Sequence, residues 1–108
     1  MMDLLDTTAF SAAMRNEAEM VEYLGARRPG TVGVAPPVLA EIEYGLRRLD
    51  RNSRARTLLK AQKDRLLGHV RIIAIAAIAR SHAARVITAN LVHFRRIEGL
   101  DSHHWTED

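Results

Sequence analysis

At 108 residues, with 47% apolar and 27% charged side chains, the chain has room for one domain and one modest core. It has no cysteine, which excludes disulfides and thiolate metal sites and fits a reducing cytoplasm, the expected location. The net charge of +3 comes from an arginine excess that permits a nucleic-acid partner without requiring one. No apolar run reaches the length of a membrane span, and the start carries neither a basic region nor a cleavage-type segment.

Residues 2–5 read as a short apolar strand that stops at Asp6, followed by Thr7, Thr8 and a first helical turn over 9–14. A carboxylate at the carboxyl end of a buried strand stands where open α/β sheets place their ligands. Thr7 and Thr8 are placed to cap the turn and orient the Asp6 oxygens. Asn16-Glu17-Ala18-Glu19 has capping-box spacing and opens a helix to about Leu24, with Met20, Val21 and Leu24 inward. Residues 31–35 form a second strand, and Pro36-Pro37 starts a helix whose inner stripe is Val38, Ile42, Leu46 and Leu49. Glu41 lies off that stripe, with Gly45 one turn on leaving the surface beside it open. Glu43 and Arg47 have the spacing of a surface ion pair.

After a polar break, a helix runs to Leu67 with Ala55, Leu58, Leu59, Gln62 and Leu66 as its inner row and Gly68 as its stop. Residues 69–73 and 85–90 read as further strands, with a helical turn over 92–96 and an edge strand within 100–105. Strands alternating with helices indicate a parallel α/β sheet. Residues 72–79, eight apolar residues in a row, do not parse: strand on the left, helix on the right, and no turn residue between them.

The order of motifs resembles the PIN-domain family, and within it the ribonuclease toxins of VapBC-type toxin–antitoxin pairs. The matching stretches are Leu4-Leu5-Asp6-Thr7-Thr8, Leu39-Ala40-Glu41-Ile42-Glu43-Tyr44-Gly45, Ile75-Ala76-Ala77-Ile78-Ala79, and Val86-Ile87-Thr88-Ala89-Asn90 followed by Phe94. The resemblance implies a PIN-like (Rossmann-like) α/β fold, a parallel sheet flanked by helices, over residues 1–108 as one domain. It implies a site of Asp6, Glu41 and Asn90 around Mg²⁺ or Mn²⁺, supported by Thr7, Thr8 and Thr88, acting on RNA. A further acid of the family's late helix would fall at Ile72, so the chain reads as a shortened form with a deletion seam near 72–75.

Two carboxylates and an amide carbonyl make a hard oxygen donor set suited to those cations, which polarise phosphates for hydrolysis. The plainer alternative makes Asp6 a helix cap and Glu41 a surface residue. Arg47, Arg48 and His93 are candidate phosphate contacts, or else members of a solvated face. The aromatic residues look too few and too scattered for a base-stacking platform. His103-His104 beside Trp105 lacks metal-ligand spacing and reads as an edge-strand face. Two functions compete: a metal-dependent ribonuclease weakened by the missing acid, and a catalytically inactive PIN-derived protein that dimerises or binds an antitoxin-like partner. The uncovered apolar run at the seam predicts a homodimer, formed either by exchange of the elements after it between two copies or, unswapped, through the same apolar face with each sheet complete within its own chain.

Overall fold

The computed structural model describes residues 2–28, 30–68, 70–72, 84–94 and 101–107. Short apolar segments become strands: β1 (Met2–Leu5), β2 (Val32–Val34), β3 (Arg71–Ile72), β4 (Ala84–Ile87) and β5 (Ser102–His103). They pair in the order β3-β2-β1-β4-β5, every pair parallel. Five α-helices accompany them among the described residues, α1 (Thr7–Met14), α2 (Ala18–Gly25), α3 (Pro36–Arg47), α4 (Arg54–Leu67) and the single turn α5 (Leu91–Phe94), with a 3-10 turn at Trp105–Glu107. This is the expected parallel α/β architecture. Because β1 has β2 on one side and β4 on the other, the chain reverses its direction of travel at the β1–β4 boundary. The carboxyl ends of those two strands therefore frame the crevice where such sheets bind ligands.

The core is built where β1, β2 and β4 meet α1 and α2, with Leu5, Phe10, Met20, Val34 and Ile87 almost wholly removed from water. The α3 stripe forms as its spacing predicts: Ile42 and Leu46 are buried, and Val38 and Leu49 pack against the core. Each of the five described strands pairs with another of the same sheet. Of the seam at 72–75, only Ile72 belongs to the described residues; it is a strand residue paired with Val34.

Four local expectations need correction. The capping box at residues 16–19 does not form. Asn16 instead adopts a left-handed backbone (φ 53°), which asparagine tolerates, and closes α1, while Glu17 caps α2 without a side-chain hydrogen bond. On α2 it is Tyr23, not Val21, that turns inward; Val21 is exposed because the buried face runs through Met20 and Tyr23. On α4, Ala55 and Leu58 face solvent, and only Leu59, Leu66 and Leu67 reach the core, since this helix lies on it along a narrow stripe. β4 stops at Ile87 rather than running on to Asn90: Thr88 N–H still bonds His103 O (2.9 Å), its side chain turns to Asp6, and the chain then bends into α5.

Candidate functional site

Asp6 is the residue at which β1 ends and α1 begins. Its backbone N–H closes the ladder to Ile87 O (3.1 Å), and its Oδ1 caps the helix by accepting from Ala9 N–H (2.9 Å). A carboxylate is favoured there by the helix dipole as well as by the cap. Two hydroxyls then fix both oxygens. Thr8 Oγ1 donates to Oδ1 (2.7 Å), and the fully buried Thr88 Oγ1 donates to Oδ2 (2.5 Å).

The same hydroxyls reach back to the β4–α5 turn. Thr8 Oγ1 accepts from Ala89 N–H (2.9 Å), and Thr88 Oγ1 accepts from Asn90 N–H (2.8 Å). The segment carrying Asn90 is thus fastened to the segment carrying Asp6, with Asn90 itself exposed at the rim. Glu41 comes from α3, and Thr7 Oγ1 donates to its Oε2 (2.7 Å). Hydrogen bonds through Thr7, Thr8 and Thr88 thus tie Glu41, Asp6 and the backbone of Asn90, far apart in sequence, to the first turn of α1.

The donors fit a hard divalent cation in kind: carboxylate and amide oxygens only, in a set that uses few protein ligands and leaves room for water. Glu41 Oε1 takes no hydrogen bond among the described residues. Also among the described residues, no third aspartate, glutamate, histidine or cysteine joins Asp6 and Glu41 to make a larger ligand cluster.

The candidate phosphate contacts separate. Arg47 is spent on Glu43 (Nε to Oε1, 3.4 Å), as its spacing predicts, and Glu43 is also held by Lys63 of α4 (2.5 Å). The Lys63 hydrogen bond is the first reason that the Glu43 carboxyl titrates below the usual range. Arg48 lies over the ring of Tyr44, 5.7 Å from its centre. His93 belongs to α5, and its side chain falls outside the described residues. His103 bonds Asp101 (2.8 Å), and His104 stacks on Trp105, as expected of an edge-strand face.

Sequence reasoning missed a second carboxylate. Asp3 is 4% exposed in the interior of β1 and gathers Arg85 (2.6 and 3.1 Å), the Tyr23 hydroxyl and, at 3.7 Å, Arg27. The Arg27 guanidinium also lies 4.5 Å over the Tyr23 ring. Burial, then the hydrogen bond to Asp3, pushes the Tyr23 phenol well above the tyrosine range. The one signal available was an offset: Asp3 on β1 and Asp6 just past it are three apart, as are Arg85 on β4 and Thr88 just past it. A parallel ladder with Asp3 opposite Arg85 brings Thr88 to Asp6.

This arrangement, a parallel sheet in the order 3-2-1-4-5 with an acid at the end of its central strand, is the PIN-like α/β fold. Solved structures carry the same fold. One is a chain in VapBC2 from Rickettsia felis bound to a DNA fragment from their promoter, with 20% identity, 97% of this chain and 99% of that one covered, and a TM-score of 0.79. Others are chains in DNA-bound VapBC from Salmonella typhimurium (18%, 97% and 98%, 0.77) and in VapBC-1 from nontypeable Haemophilus influenzae (20%, 98% and 99%, 0.72). At these identities the likeness is one of fold. No protein-family profile and no curated protein matches the chain. Among the described residues, no helix is long and apolar enough to cross a membrane.

Proposed function

We propose that the chain is a small metal-dependent ribonuclease of the VapC type, in a shortened form, cleaving RNA phosphodiester bonds at Asp6, Glu41 and Asn90. The observation that carries this is Asp6 itself: an acid at the carboxyl end of the central strand, at the switch point, with both oxygens held by hydroxyls and Glu41 drawn to the same helix turn. The carboxylates of Asp6 and Glu41 and the side-chain carbonyl of Asn90 would hold Mg²⁺ or Mn²⁺. When bound, the cation supplies Lewis-acid stabilisation of the charge that builds on the phosphate. The chain's own part is orientation. Thr8 and Thr88 fix the Asp6 carboxylate, Thr7 fixes one Glu41 oxygen and leaves the other available, and the backbone bonds to residues 89 and 90 keep Asn90 within the site. An antitoxin-like protein is the partner that belongs with this reading, and a homodimer formed through the apolar run after β3 is the assembly.

A second reading, an inactive PIN-derived binding protein, is favoured by the lack of a third acid among the described residues. Cleavage of end-labelled single-stranded RNA decides between them. The nuclease reading expects weak cleavage that requires Mn²⁺ or Mg²⁺ and disappears in Glu41→Gln. Ile72→Asp is expected not to raise it, because Ile72 is a strand residue beside Val34, two strands of about 4.8 Å spacing away from β1. Robust cleavage untouched by Glu41→Gln overturns the site; no cleavage under any metal condition supports the second reading.

A further inference from the structure

We propose that Tyr44 is a base-stacking residue, and that the exposed face of α3 is a single-strand track leading away from Glu41. The proposal deepens the nuclease reading and rests on it.

Ile42 and Leu46 turn α3 toward the core, which leaves Glu41, Tyr44, Gly45 and Arg48, at spacings of three, four and seven, together on one face. Tyr44 is 66% exposed on that face, while the chain's other tyrosine is 4% exposed. Tyr44 follows Glu41 by three residues, about one turn along the same helix. A Cβ built on Gly45, the residue after Tyr44, meets no atom within 4 Å, and Gly45 lines a cavity of about 250 Å³ together with Glu41 and Thr7.

The charges around the ring match a polyanion. Arg48 sits over Tyr44 at 5.7 Å, within cation–π range. Among the described residues, Arg48, Arg51 and Arg54 have no carboxylate partner, while the one acid between the helices, Asp50, accepts from Asn52 N–H. A flat π surface among unpaired guanidinium groups is what base and phosphate together require. A protein interface at this place would need contiguous apolar area, and the other large exposed apolar side chains among the described residues, Val21, Leu58 and Val92, are on three different helices. The occupant is therefore single-stranded RNA. The base next to the scissile phosphate stacks on Tyr44, and the backbone beyond it runs over Arg48 toward Arg51 and Arg54.

Fluorescence anisotropy on the full chain without divalent ions tests this with three labelled probes: a single-stranded RNA, an abasic strand of the same length and a duplex RNA. Tyr44→Ala is expected to weaken the single strand about ten-fold and to leave the abasic strand and the duplex unchanged, and Tyr44→Trp is expected to restore the affinity. The salt dependence of binding should stay the same in Tyr44→Ala and become shallower in Arg48→Gln. Equal single-strand affinity for wild type and Tyr44→Ala overturns the proposal, as does equal weakening of the abasic strand. Light scattering provides another arm: a dimer that Tyr44→Ala converts to monomer, with RNA affinity unchanged, assigns the ring to a second copy and also overturns it. Because binding is read without metal, absent cleavage counts against the nuclease reading alone, and an unchanged affinity counts against the track alone.

Discussion

Asp3→Ala is expected to destabilise the fold by about 3–5 kcal/mol, which is much of the total stability of a domain this small. The carboxylate is buried in β1 and receives hydrogen bonds from Arg85 and Tyr23, with Arg27 at 3.7 Å. Removing it leaves two guanidinium charges and a phenol that had been arranged around it, and the cost is that of poorly compensated buried polar groups. Replacing Asp3 and Arg85 together by leucine should recover part of the loss, since it removes one of the two guanidinium groups while Arg27 and the Tyr23 phenol remain. Urea unfolding of the three proteins measures both effects; a loss below about 1 kcal/mol in Asp3→Ala would show that the network contributes little.

The same cluster gives the protein an alkaline limit. In the fold, Tyr23 titrates above its unfolded value of about 10. The unfolded chain therefore loses that proton first. The contribution is complete below about pH 10 and declines as the pH rises beyond it. Melting temperatures should fall on that side, and Tyr23→Phe should flatten the slope while lowering the plateau.

How much of this was legible in the sequence depends on what each residue's neighbours in sequence reveal. Asp6 could be found because the strand ends at it and two hydroxyls follow, so its cap and its supports are local. Glu41 could be found only through its motif, since nothing within α3 shows that Thr7 would reach it. Asp3 was hidden, because a single acid inside a four-residue strand looks like an outward position; its partners lie 20 and more residues away on other elements. Tyr44 was visible as an aromatic residue, but its use depends on which face of α3 is buried. The α4 row failed because spacing shows which residues share a face and not how wide a stripe the neighbouring helices cover.

Thr88→Val is the sharper test of how the site is held. The substitution keeps the buried volume, removes the hydrogen bond to Asp6 Oδ2 and deprives Asn90 N–H of its acceptor. Groups that orient metal ligands in this way are worth roughly 10–100-fold in metal affinity or activity. A loss of that size in Mn²⁺ affinity is expected, with Thr88→Ser restoring most of it. Unchanged affinity in Thr88→Val, with a fold of normal stability, would mean that the hydroxyl supports the turn and not the carboxylate.

Thermal melting with and without Mn²⁺ tests most directly whether Asp6 and Glu41 share one divalent-cation pocket. A cation that binds only the folded chain stabilises it by about 2.7 kcal/mol at one hundred times its dissociation constant, which moves the midpoint of a domain this size by several degrees. The wild type is expected to show that rise, Glu41→Gln a much smaller one and Asp6→Asn none. An equal rise in wild type and Asp6→Asn, or none in the wild type at saturating Mn²⁺, would contradict a shared pocket.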